Sequence, residues 1–447
     1  MRNFRNQKKK TGTDRNRYVT AVVASETGEI FDLEGYAAVG MEGETLCPLT
    51  LADTQPLPFG SELMFLPDRA PLVFNPRTGK MEVLLENPYV PGEKIFPVSA
   101  FNSPGYLITY LPAYQELSTA ESLPIFSYGA VGWHGNGFQS AVFQVDRERR
   151  QDLRLMPLEK VTQGVAQMKK KYPNNRLRMH LEKCSLTYGC PAAKNFFIGR
   201  CEAPLPSSPA CNARCLGCLS FQSTGCVSHC QDRINFMPSP QELSEIALEH
   251  FSRVPDGVVS FGQGCEGDPL LASEVIEPAI RMIREKTPTG TINMNTNGSL
   301  PEVLSTLFDA GLDSIRVSIN SFREECYSAY FRPKGYEFAD VLKSIRMGIA
   351  RGRHTAINYL NMAGVTDAPE EKEALFSFLS EHTVHQIQWR NMNFDPLRYR
   401  EVMAGAAPQG PPLGMAALVG DIRKRFPGIR HGYFNPYVNK ASHAASP

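Results

Sequence analysis

Between Ser239 and Asn393 the sequence alternates helix-like and strand-like runs with a regularity that few folds permit. SPQELSEIALEHFSRV opens with Ser239 as N-cap, Pro240 at the first helical position and Glu242 closing a capping box. There follow strand GVVSFG, helix ASEVIEPAIRMIREK, strand TINMNTN, helix PEVLSTLFDAG, strand SIRVSIN, helix YEFADVLKSIRMGIARG, strand HTAINYL, helix PEEKEALFSFLSEH and strand VHQIQWRNMN. With FFIGRCEAPL as entry strand, six strands alternate with helices in units of about 30 to 40 residues, the length that parallel βα units require. No G-x-G-x-x-G opens the first helix, so a doubly wound sheet fits less well than a partial (β/α)6, TIM-like barrel over residues 195–402. In such a barrel the active face lies at the C-terminal ends of the strands.

The loop after the first strand reads ACNARCLGC and carries Cys211, Cys215 and Cys218 as C-x3-C-x2-C. Three thiolates would hold three irons of a four-iron cluster and leave the fourth open. Taken alone, the triplet also admits a zinc knuckle, a disulfide with a spare thiol, or three unrelated buried thiols. Motif and architecture agree, because the loop falls on the active face. Triplet and barrel together resemble the radical SAM superfamily, over roughly residues 195–400.

That resemblance implies a [4Fe-4S] cluster on Cys211, Cys215 and Cys218, with S-adenosylmethionine (SAM) bound at the open iron. It implies reductive cleavage of SAM to a 5′-deoxyadenosyl radical that abstracts hydrogen from an unknown substrate. A low-potential electron donor of flavodoxin or ferredoxin type would be a partner. FGQGCEGDPLL looks like the family's Gly-Gly-Glu-Pro turn that meets the SAM amino group, with Glu266, Gly267, Asp268 and Pro269 in place and Asp268 standing for the usual glutamate. MNTNG and RVSINS are similar to the family's polar strand tips near ribose and carboxylate, which selects Asn295, Asn297, Ser318 and Asn320; Asn and Ser at strand ends are also ordinary turn formers. Arg390 on the sixth strand presents a planar fork for the SAM carboxylate or for substrate. The family's aromatic residue before the third cysteine is Gly217 here, so adenine packing is expected from elsewhere, with Phe221 the candidate.

Eight of the 11 cysteines crowd between Cys184 and Cys230, which points to metal rather than disulfides in a reducing compartment. Cys184, Cys190, Cys201, Cys226 and Cys230 leave an auxiliary iron–sulfur cluster, zinc and scattered thiols all open, with Cys184 and Cys190 the first candidates for the auxiliary cluster. They sit at the end of a helical connector over 151–194, in which Leu158, Val161, Val165 and Met168 recur at helical spacing.

Residues 18–150 read as short β-rich runs broken by Gly, Pro and Asn, a separate all-β N-terminal domain with no activity of its own in view. The first 17 residues form a basic arm, expected as a disordered, solvated tail. With Lys+Arg 47 against Asp+Glu 46 nothing overall invites nucleic acid, which is not expected as a partner, and the lack of a secretory signal or an apolar run of about 18 residues leads to a cytoplasmic, non-membrane expectation. AGAAPQGPPLG is expected as a flexible linker and the rest of 403–447 as a short cap. The rival of a different class is a zinc- or cluster-stabilised binding protein, RNA-associated through the basic arm and without radical chemistry.

Overall fold

The expected alternation of strands and helices closes into a curled, seven-stranded parallel sheet. The computed structural model describes residues 17–222 and 230–438, so the basic arm, Arg17 apart, and Cys226 lie outside the described residues. The strands are β1 (Glu202–Pro204), β2 (Val258–Phe261), β3 (Thr291–Thr296), β4 (Ser314–Ile319), β5 (His354–Asn361), β6 (Gln386–Asn391) and β7 (Arg430–Gly432), each parallel to its neighbour in chain order. Helices α1 (Leu158–Lys171), α2 (Arg176–Leu186) and α3 (Pro191–Ile198) precede the sheet. Around it run α4 (Pro240–Arg253), α5 (Ser273–Lys286), α6 (Pro301–Ala310), α7 (Glu324–Phe331), α8 (Phe338–Ala350), α9 (Pro369–Glu381), α10 (Pro396–Ala406) and α11 (Met415–Arg425). The capping box forms as expected at the start of α4: Ser239 Oγ accepts from the Glu242 amide and the Glu242 carboxylate from the Ser239 amide.

The strands β2 and β3 are covered on both sides. In β3 all six residues are buried, with Ile292 and Met294 in the apolar core that the helices share. Thr291, Asn293 and Asn295 alternate with them and face the barrel interior, as period-two geometry demands. The interior of this half-barrel is therefore polar, and it must satisfy itself by hydrogen bonds.

Several boundaries differ from the sequence reading. Phe196, Phe197 and Ile198 end helix α3, where Gly199 takes the left-handed cap conformation, so the entry strand is only Glu202–Pro204. Leu158 is 66% exposed while Val161, Val165 and Met168 pack inward, so the apolar stripe starts one position later than its spacing implied. AGAAPQGPPLG begins as the last turn of α10 rather than as linker. The C-terminal cap adds a seventh strand, making the barrel larger than the six expected.

The N-terminal region forms a twelve-stranded antiparallel sheet, with a long strand at Ile30–Glu42 that the sequence reading did not single out. Its sheet is separate and packs partly in clusters of its own, such as Ala21, Val23, Leu33, Val73 and Ile95, but Val39, Met41, Leu107, Leu111 and Val145 belong to the same apolar cluster as the barrel. Docking is also polar. Asn391, at the end of β6, accepts from the Ile108 amide at 3.0 Å and donates to the Tyr106 carbonyl at 2.8 Å. A hairpin tip meets the loop after β5, where a Cβ on Gly364 would stand 2.0 Å from the Gly43 nitrogen.

Candidate functional site at the C-terminal rim of the barrel

Past β1, the Leu205 amide extends the strand to the Ser260 carbonyl, and the chain then turns into the cysteine loop. That loop is stitched to the end of α7: the Arg214 amide donates to the Phe331 carbonyl at 2.9 Å and the Leu216 amide to that of Tyr330 at 3.1 Å. Cys211, Cys215 and Cys218 all line one cavity of about 730 Å³ at the strand ends. Burial, then the nearby Asp268 charge, pushes the Cys211 thiol up to about 11; burial and the two neighbouring thiols push Cys215 well above its ordinary value. A cation bound by these groups would displace their protons. Arg233 donates to Cys218 Sγ at 3.4 Å and to Ser220 Oγ at 3.2 Å.

The turn after β2 is fastened to the cysteine loop by main-chain bonds, Gly267 amide to Ser208 carbonyl at 2.7 Å and Asp268 amide to Ala210 carbonyl at 2.9 Å. Glycine is required there, since a Cβ on Gly267 would lie 1.8 Å from the Ala210 oxygen. The Glu266 carboxylate accepts four backbone amides, from Ser207, Ser208, Gly262 and Gln263. Burial still pushes it up to about 7. Asp268 accepts from the Leu270 and Asn297 amides and from Thr296 Oγ1, and burial pushes it up to about 6. Both carboxylates brace the turn, leaving main-chain atoms and their outer lone pairs to face the cavity.

Asn295, Asn297, Ser318 and Arg390 line the same cavity, together with Glu266, Gly267 and Asp268. Asn297 donates to Asn212 Oδ1 at 2.8 Å, beside Cys211. Asn295 donates to the Gly262 carbonyl at 3.0 Å, and Ser318 Oγ accepts from Asn358 Nδ2 at 3.1 Å. The Arg390 guanidinium lies 4.6 Å from the Tyr433 ring centroid.

Two expected residues fall elsewhere. Asn320 lies outside the cavity wall and donates to the Cys326 carbonyl and Tyr399 Oη, because β4 ends at Ile319 and its alternation stops there. Phe221 is 45% exposed under the Arg233 guanidinium and is absent from the cavity wall. Tyr330, Phe331, Phe126 and Phe434 are aromatic residues that do line it.

Of the auxiliary candidates, Cys190 and Cys230 line the cavity, whereas Cys184 packs against His180. Sequence reasoning missed Glu202, Arg316, Asn358, Gln388 and Asn435. Inward alternation along β4, β5 and β6 would have found Arg316, Asn358 and Gln388. Asn435 had no periodic signal; it reaches in from beyond β7 and donates to Glu202 Oε1 at 2.8 Å and Ser260 Oγ at 3.3 Å while accepting from Gln388 at 3.1 Å. Burial and the neighbouring Arg390 charge push Arg316 down to about 10. Arg316 Nε and Asn358 Oδ1, on the wall, have no protein hydrogen-bond partner among the described residues.

Comparison with known proteins gives the site a family. Residues 205–376 match the model of the radical SAM superfamily. The FeMo cofactor biosynthesis protein NifB of Klebsiella pneumoniae is 24% identical over 178 residues, 37% of this chain and 38% of that protein. A GTP 3′,8-cyclase of Limosilactobacillus fermentum is 24% identical over 196 residues, 42% of this chain and 52% of the cyclase. The chain thus spans about half or less of the length of these curated relatives. Streptococcus suis SuiB bound to S-adenosylmethionine aligns at TM-score 0.37 and 13% identity, covering 52% of this chain and 50% of that one. The segment that carries the cysteine loop, the Glu266–Asp268 turn and strands β2 to β5 belongs to the radical SAM superfamily.

Proposed function

We propose that this protein is a radical SAM enzyme acting on a small molecule held between the half-barrel and the N-terminal sheet. One observation carries the reading: the three cysteines and the Gly267 turn are tied together by main-chain hydrogen bonds on the rim of one cavity. The residues suit the group. Three half-buried thiols from one loop can ligate three irons, and unpartnered Arg316 Nε and Asn358 Oδ1 supply polar atoms where a charged ligand would lie.

Cys211, Cys215 and Cys218 would hold a [4Fe-4S] cluster, and the turn at Gly267 and Asp268 would receive the SAM amino group. Bound there, cluster and SAM would supply the one-electron reductive chemistry that generates a hydrogen-abstracting radical, and a low-potential donor of flavodoxin or ferredoxin type would provide the electron. The chain's own residues orient and exclude. Glu266 and Asp268 fix the turn against the cysteine loop, Asn297 and Asn212 lock the loop's first residues, and Arg390 offers its guanidinium to a carboxylate. Phe101, Ser103, Ile125 and Phe126 of the N-terminal region form part of the cavity wall, which favours a small substrate over folded RNA and limits water around the reacting atoms.

The test is anaerobic reconstitution with iron and sulfide, addition of dithionite and SAM, and measurement of 5′-deoxyadenosine against a Cys215→Ala control. Production by the wild type alone supports the reading. A wild type that assembles no cluster refutes it.

A further inference from the structure

We propose that the protein holds a second, mononuclear metal ion, a structural zinc, between His180, Cys184 and Cys265. His180 and Cys184 are four residues apart on α2, so their side chains leave one face of the helix. Asn175 caps that helix by accepting from the Arg178 amide, and Leu177 and Leu181 bury the same side, which fixes the face toward the barrel. Cys265 arrives from the turn after β2, one residue before Glu266. His180 Nε2 lies 3.4 Å from Cys265 Sγ and 3.4 Å from Cys184 Sγ, and all three donor atoms lie within 4.8 Å of one another.

These spacings suit one ion. Zinc–sulfur bonds of about 2.3 Å and zinc–nitrogen bonds of about 2.0–2.1 Å put nitrogen and sulfur of one tetrahedron roughly 3.5 Å apart, and two sulfurs roughly 3.8 Å apart. A cubane cluster takes each thiolate on a different iron and needs its ligands spread wider than this trio. The imidazole nitrogen serves one thiol at a time while the two thiols also hydrogen-bond each other, so the three donor atoms converge on one point. The trio supplies three of four ligands; Cys190, whose amide donates to the Cys184 carbonyl at 3.0 Å, lies outside the 4.8 Å group and would have to turn its thiol inward, or water would complete the site. The ion would clamp α2 to the turn that braces the cysteine loop, at a position distinct from Cys211, Cys215 and Cys218.

The inference does not rest on the radical reading, and its test keeps the two apart. The full chain carrying Cys211→Ser, Cys215→Ser and Cys218→Ser is purified anaerobically, and zinc, iron and acid-labile sulfide are counted. About one zinc per chain is expected, falling more than tenfold when Cys184→Ser or His180→Asn is added. Cobalt(II) in its place should give the visible absorption of a tetrahedral thiolate site. Circular dichroism melts of the same proteins report folding; if both single variants fail to fold, removal of zinc from the triple variant by a chelator and its restoration by added zinc provide the reading. A well-folded triple variant without metal, iron with sulfide in place of zinc, or a Cys184–Cys265 disulfide in freshly purified protein would each overturn the proposal.

Discussion

Gly217 packs against Asn393 so closely that a Cβ on the glycine would lie 2.5 Å from the Asn393 carbonyl oxygen and 3.0 Å from Tyr330 Oη. The space that an aromatic side chain would need before the third cysteine is filled here by the chain following β6. Restoring that aromatic residue as Gly217→Phe is therefore expected to damage the loop. Iron per chain after reconstitution should fall at least several-fold, and Gly217→Ala should fall partway. Full iron loading of Gly217→Phe would contradict the packing argument.

Arg233 donates to Cys218 Sγ, a contact that would lower the electron density on a cluster thiolate. Arg233→Gln should make the cluster harder to reduce. A charge-assisted hydrogen bond of about 1.5 kcal/mol corresponds to a shift on the order of 60 mV toward negative potential for one electron. Redox titration followed by electron paramagnetic resonance measures it.

Glu42, near the hairpin tip that docks on the barrel, hydrogen-bonds Asp367, and its carboxyl is pushed up to about 8, first by burial and then by the Asp367 charge. The folded chain then binds more protons than the unfolded one, whose glutamate keeps its ordinary value of 4.5. That contribution to stability is complete below the unfolded value and is lost as pH rises through about 8. Glu42→Gln stays neutral, so its melting temperature should drop less than the wild type's between pH 6 and pH 9 in paired thermal scans.

Asn391 joins β6 to the N-terminal region through the Ile108 amide and the Tyr106 carbonyl. Asn391→Ala strands both groups at an interface and should cost about 1–3 kcal/mol. Urea denaturation with fluorescence detection gives the value, and an unchanged midpoint would mean that water replaces the amide at no cost.

Much of this arrangement was legible because its causes are local. The Ser239 and Glu242 box, the helical stripes and the apolar strands β2 to β6 carry their own periods and caps, and the cysteine loop could be placed on the rim from chain order alone. What escaped was settled by contacts distant in sequence. Asp395 caps α10 by accepting from the Leu397 and Arg398 amides, a signal present as Asp-Pro but overlooked after a strand. Asn320 is expected from the likeness of RVSINS to the family's polar strand tips, but β4 stops at Ile319 and its alternation does not carry Asn320 to the cavity. Asn435 could not be read at all, since its partners on β1, β2 and β6 are fixed only once the sheet has curled.

That last residue also sets an order of events. Asn435 stitches together strands that leave the ribosome well before it does, so until it arrives Glu202 and Gln388 lack their shared partner and the polar interior of the half-barrel is short of these hydrogen bonds.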